Sequence, residues 1–257
     1  MTAPLHVRVL GAGDGVPVLA LHGVTGQGGQ WRELSHALPG ARMIAVDLRG
    51  HGHSPWTPPW HLEQHLADTL AVLDDLGLAR VAVAGHSFGA ALAVHLAHAA
   101  PDRVDRLALL DPAIGLDPRD MLARAVSTYT DGSYPDVASA RADHATAWAG
   151  VDGALIDTEI AEHLAPDGDR FRLRYCNPAA VVAWSDLARP ALTPPPGTPT
   201  LVLPAGRAGL VDPGWLDACR AELGDALTVG EIDAGHMLHL ERTAAVAALL
   251  GPFLGLV

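Results

Sequence analysis

The chain has 257 residues with 29 acidic against 17 basic side chains, a formal net charge of −12, and 49% of it is hydrophobic. That supports one large core, or a core carrying a smaller insertion, and excludes general disorder; the acidity disfavours phosphate backbones and anionic lipid, so neither nucleic acid nor a membrane surface is an expected partner. Every basic residue is arginine, which rules out a Schiff-base lysine and a phosphate-loop lysine.

Short Val/Leu/Ile-rich runs alternate with longer Ala/Leu-rich segments along the chain. Met1-Thr2-Ala3-Pro4 lacks the basic segment and apolar stretch of a signal peptide, and no apolar run is long enough to span a bilayer, so the expectation is a soluble cytoplasmic protein. Strands are predicted at His6–Leu10, Val16–Leu21, Met43–Val46, Arg80–Ala84 and Arg106–Leu110, then at Thr200–Pro204 and Leu227–Ile232. Helices are predicted at Trp31–Leu38, Leu62–Leu76, Phe88–Ala99, Pro213–Leu223 and Thr243–Leu250. The strand runs do not alternate apolar with polar, which suits burial on both faces, and the strand–helix rhythm implies βαβ units around a mostly parallel sheet flanked by helices.

Between about Gly115 and Pro196 the rhythm breaks. The stretch is polar and helix-like, with scattered aromatics, and ends in the stiff run Pro194-Pro195-Pro196. It reads as a mainly helical cap at 115–196, inserted into an α/β core made of 1–114 and 197–257. Cys176 and Cys219 have no metal-ligand spacing and read as packed thiols.

Gly85-His86-Ser87-Phe88-Gly89 fits the pattern G-x-S-x-G. The apolar strand Val81–Ala84 precedes it and a helix of small residues follows. A strand, a sharp turn and a helix would lift the serine hydroxyl out of the sheet at a helix N-terminus, where backbone N–H groups can meet developing negative charge. His22-Gly23-Val24 follows an early strand, Asp47-Leu48-Arg49-Gly50-His51-Gly52-His53-Ser54 forms a glycine-rich loop, and Gly235-His236 follows a late strand.

With these segments in this order, the chain resembles the α/β-hydrolase superfamily along nearly its whole length. The glycine-rich loop is similar to that family's D-x-R-G-x-G-x-S. The resemblance implies Ser87 as nucleophile, His236 as base, and an oxyanion hole made by the backbone N–H groups of Val24 and Phe88. His86 and His239 read as structural. His51 and His53 occupy variable positions of the glycine loop and have no evident third ligand, so no metal and no cofactor are expected.

The orienting acid is the open point. Most relatives carry it a few residues past a glycine after the penultimate strand, where this chain has Ala208 and Gly209. Asp111, at the end of Arg106–Leu110, is favoured; haloalkane dehalogenases place their acid at the equivalent strand end. Asp212 is the alternative, although it also suits an N-cap before Pro213. The implied reaction is cleavage of an ester or related acyl bond of a small molecule. A lactonase, thioesterase, C–C hydrolase or perhydrolase on the same scaffold is the alternative, followed by a non-catalytic ligand-binding protein. Ser rather than Asp in the elbow disfavours dehalogenase and epoxide hydrolase chemistry, and Met237 after His236 weakens the C–C hydrolase reading. Met121, Trp148, Tyr175 and Trp184 either line an apolar pocket or pack the cap's own core. The sequence is silent on oligomeric state.

Overall fold

A computed structural model describes residues 4–130 and 132–256. The chain begins with β1 (Val7–Gly11), β2 (Val16–Leu21), α1 (Arg32–His36), β3 (Ala41–Val46), α2 (Leu62–Asp75), β4 (Val81–His86), α3 (Phe88–Ala99) and β5 (Val104–Leu110). Then come α4 (Pro118–Thr130), β6 (Ser133–Tyr134), α5 (Val137–Ala147), α6 (Gly153–His163), β7 (Leu164–Asp167), β8 (Arg170–Leu173) and α7 (Asn177–Leu187). It ends with β9 (Thr200–Leu203), α8 (Pro213–Leu223), β10 (Leu227–Val229), α9 (Leu238–Glu241) and α10 (Thr243–Phe253).

Seven strands form one sheet in the order β1-β3-β2-β4-β5-β9-β10. Only β1 runs antiparallel to its neighbour; every other pairing is parallel. Successive residues of one strand serve different cores. Leu19 and Leu21 of β2 face a cluster with Leu73 of α2, Leu92 and Leu96 of α3 and Trp215 of α8. Val18 and Ala20 face a second cluster with Leu34 of α1, Leu238 of α9 and Val246 and Leu250 of α10. Both faces are dry, which is why the strands read as continuous apolar runs. Strand order reverses between β3 and β4 on either side of β2, and the crevice beyond the carboxyl ends of strands at such a reversal is where open α/β sheets bind ligands.

The stretch between β5 and β9 holds the expected helices and also a three-stranded antiparallel sheet, β6-β8-β7, that the helix-like composition concealed. Arg170-Phe171-Arg172-Leu173 does alternate polar with apolar, the period of a half-buried strand, but over only four residues. A third cluster joins Ala140, Ile156, Ile160, Leu173 and Tyr175. Ladder β9/β10 is shorter than predicted. Pro204 has no N–H to give, and pairing resumes beyond it at Ala205 and Ile232 as a single bridge. Both cysteines are free thiols. No described helix is long and apolar enough to cross a membrane.

Close packing of α3 on β2 leaves no room for a side chain at Gly89, where an added methyl would run into the Leu21 carbonyl oxygen. Gly89→Ala is therefore expected to cost about 3 kcal/mol through overpacking and backbone shift, read as a lower urea midpoint; an unchanged midpoint would contradict this contact.

Buried histidines set the acid stability. Burial pulls His22 down to about 4 and His51, His65, His163 and His239 down to about 3, from an ordinary 6.5. The unfolded chain thus binds more protons across that window. Stability is complete above pH 6.5 and is lost as pH falls toward the folded values. Glu159 works in the opposite sense, because burial pushes it from 4.5 up to about 7. Asp186 is raised as well, but burial also lowers His86 and His144, so the histidines remain dominant. The urea midpoint should fall steadily from pH 7 to pH 5, and a flat or rising midpoint would show that the rings are not held neutral.

Candidate active site

Ser87 sits between β4 and α3 with φ 55 and ψ −117, a strained backbone for a residue with a side chain. The surroundings over-determine it. Its N–H donates to the Leu110 carbonyl at 3.0 Å, and its own carbonyl accepts from Ala90 at 3.0 Å and Ala113 at 3.3 Å. The loop after β2 runs directly alongside, so close that a methyl on Gly23 would lie 3.0 Å from Ser87 Cβ. Val24 follows in that loop, half-buried, and Phe88 opens α3. Among the described residues neither the Val24 nor the Phe88 N–H donates a hydrogen bond.

His236 lies in the loop after β10 and meets Asp111 at the end of β5. His236 Nδ1 is 2.6 Å from Asp111 Oδ2, while Asp111 Oδ1 accepts from the Ala205 N–H at 3.0 Å. Asp111 is fully buried and the His236 side chain is 39% exposed. Asp212 is elsewhere, capping α8 by accepting from the Trp215 N–H at 2.8 Å. Ala208, one of the two residues at which the resemblance expects an acid, borders the cavity as a small residue.

The His236 loop is pinned from two sides. His86 Nε2 donates to the His236 carbonyl at 2.8 Å, with ring centroids 4.6 Å apart. Full burial keeps His86 well below its ordinary pKa, and a neutral ring can carry its proton on Nε2 for this bond. Glu241 accepts from the Gly235 N–H at 2.8 Å and is paired with Arg207. Among the described residues no hydrogen bond joins Ser87 Oγ to the His236 ring; such contacts are often long in unliganded sites and tighten around substrate.

The loop carrying Val24 is held by two neutral histidines. His22 Nδ1 donates to the Gly23 carbonyl at 2.7 Å, and its Nε2 accepts from the Leu48 N–H at 2.9 Å. His51 Nδ1 donates to the Arg49 carbonyl at 3.1 Å, and its Nε2 accepts from the Thr25 N–H at 3.3 Å. A protonated ring could not accept either bond. His51 is therefore structural, His53 is exposed beside His6, and no described cluster of His, Cys, Asp and Glu has the makings of a metal site. Asp47 of the same glycine loop accepts from the N–H groups of Gly28 at 2.7 Å and His53 at 2.9 Å. Buried Arg49 forks onto Asp68 at 2.6 and 2.8 Å. These supports were invisible in the sequence, where the loop showed only its glycine spacing.

Above the elbow lies a cavity of about 550 Å³ bordered by Ser87, His236 and Val24 below and by Trp148, Tyr175 and Trp184 above. Trp184 is fixed by its Nε1–H donating to Thr128 Oγ1 at 2.9 Å, and Arg124 stacks on its ring at 5.4 Å. Met121 does not border this cavity. It is 4% exposed and packs into the main core under α4, because the apolar face of that helix turns inward there.

A family model described as alpha/beta hydrolase fold matches residues 16–151. The chain is 42% identical over 260 residues to Lipase LipV of Mycobacterium tuberculosis, covering 99% of both proteins. It is 27% identical over 254 residues to sn-1-specific diacylglycerol lipase ABHD11 of Mus musculus, covering 93% of this chain and 81% of the mouse protein. Among solved structures, E-2-(acetamidomethylene)succinate hydrolase superposes with a TM-score of 0.82 at 22% identity, over 98% of this chain and 95% of the other, a likeness of fold. With a family match across more than half its length and a relative of this identity along nearly all of it, the chain belongs to the α/β-hydrolase family.

Proposed function

We propose that this protein is a serine hydrolase that cleaves an ester or related acyl bond of a small molecule, with Ser87 as nucleophile, His236 as base and Asp111 as the acid that orients it. The observation that carries the reading is the 2.6 Å contact from His236 Nδ1 to the fully buried Asp111, in a loop beside the strained Ser87 elbow. A proton held on Nδ1 by Asp111 leaves Nε2 as the acceptor, the tautomer a base needs. The names of the two lipase relatives agree with an ester substrate.

Ser87 Oγ attacks the carbonyl carbon as its proton passes to His236 Nε2. The oxyanion accepts from the Val24 and Phe88 N–H groups. His236 then gives the proton to the leaving alkoxide as the C–O bond breaks, which leaves an ester on Ser87. Water, deprotonated by His236, attacks that ester; collapse releases the acid and returns the proton to Ser87. Asp111 stays ionised and stabilises the imidazolium. Residues 115–196 act as the cap, and Trp148, Tyr175 and Trp184 give the cavity an apolar roof suited to an acyl or aromatic group.

Hydrolysis of short-chain p-nitrophenyl esters, with lactones and thioesters in parallel, tests this. Ser87→Ala is expected to abolish turnover. Asp111→Asn should lower kcat by roughly 10³–10⁴-fold, whereas Asp212→Asn keeps a good N-cap and should stay within about twofold of wild type. Retained turnover in Ser87→Ala, or the reverse ranking of the two Asp variants, would overturn these roles.

A further inference from the structure

The loop that carries Val24 has another anchor, one that the proposed acyl transfer does not use. Glu159 on α6 is 5% exposed. Among the described residues no basic side chain pairs with it. Instead, Gln27 Nε2 donates to its Oε2 at 2.9 Å and Gln30 Nε2 donates to its Oε1 at 3.0 Å. Both glutamines are buried and follow Val24 within a few residues. Gln27 Oε1 in turn accepts from the Gly29 N–H at 2.7 Å. Gln30 Oε1 presses on Gly26, where a methyl would lie 2.8 Å away, and Gln30 borders the cavity together with Val24 and Ser87. The loop needs such support, since Thr25 lies at φ 63.

We propose that Glu159 is a positioning residue, whose carboxylate reaches from the segment over the cavity to hold Gln27 and Gln30, so that the Val24 N–H stays aimed at the oxyanion. This rests on the reading of Val24 as an oxyanion donor. An ionised carboxylate only accepts, and so matches two amide donors. A protonated one places its O–H against an N–H that already points there, and one of the two bonds is lost. The loop then slackens and the chemical step slows.

The groups around Glu159 make the change of charge accessible near neutrality. Burial raises its pKa to about 7, with the two glutamine amides opposing. Glu162, further along α6, adds repulsion, but it is itself paired with Arg32 of α1 at 2.7 Å. Arg8 of β1 acts in the opposite direction and is held by Asp47 at 2.6 Å. Glu33 of α1 borders the same crevice. The clamp is thus closed above pH 7 and opens as pH falls.

Glu159→Gln is a fixed copy of the protonated state and supplies the test. The readouts are p-nitrophenyl acetate hydrolysis from pH 5.5 to 9, the rate at which a fluorophosphonate labels Ser87, and Tm. At pH 8.5 the variant should lose about tenfold in kcat and in labelling rate, as a misplaced reacting geometry does, with KM changed less than about twofold. Its pH profile should lack the rise that Glu159 contributes near neutrality. Its Tm should be equal or higher, because a buried charge has been removed. Gln30→Met should lose a similar share of kcat. Wild-type kcat and pH profile in Glu159→Gln, or a loss of activity that merely follows a loss of Tm, would overturn the proposal. A wild-type protein inert to both probes would overturn the serine-hydrolase reading, and this inference with it.

Discussion

Asp111 has no contact with water, and a buried carboxyl group must be fully hydrogen-bonded to offset its desolvation. Three parts of the chain meet that demand. The end of β5 supplies the carboxylate, the N–H of Ala205 beyond β9 satisfies one oxygen, and the His236 ring beyond β10 satisfies the other. The Asp111 N–H also donates to Leu203 at 2.8 Å, so the turn at φ 41 is locked to the neighbouring strand. Because the His236 carbonyl accepts from His86, the residue before Ser87, the chain of hydrogen bonds runs from the buried acid back to the elbow. The proposed catalytic groups are thereby tied to the ladder of the sheet rather than left on free loops.

The other half of the site depends on histidines that must not charge. His22 and His51 each accept a backbone N–H through Nε2, and both lie under the loop that approaches Ser87. Desolvation keeps them neutral, so the same burial that stabilises the core preserves the shape of the loop. In the proposed clamp Glu159 inverts this logic, as a buried group that works through its charge.

Much of this arrangement could be read in the chain, and the limits have physical causes. Strands β2 and β4 stood out because both faces are apolar, and the elbow because glycine is the residue that tolerates contact with the Leu21 carbonyl. Asp111 could be singled out because it ends a strand beside the elbow, yet the sequence left Asp212 in contention; in the fold Asp111 meets His236 whereas Asp212 caps α8 through Trp215, and only the former contact lies between distant parts of the chain. Strands β6 to β8 were missed because two to four residues carry too little periodicity. Met121 was misplaced because helical spacing does not say which of two apolar surroundings a helix face meets. Glu159 gave no signal at all, since its partners lie 132 and 129 positions away and an isolated acid in an amphipathic helix looks like a solvated one.

The route between β5 and β9 has a bearing on how such an enzyme changes its substrate range. The two strands are parallel neighbours, with Leu110 opposite Leu203, so the chain must cross from the top of one to the bottom of the other. Helix α7 makes that return, and its Ala183 and Leu187 are built into the core. Everything from α4 to β8 is a detour taken before the crossing. A detour of this kind can lengthen, shorten or be exchanged without altering the strand ladder, provided something apolar still covers the place of Met121. The proposed reacting groups and the proposed selecting walls are thus free to diverge at separate rates.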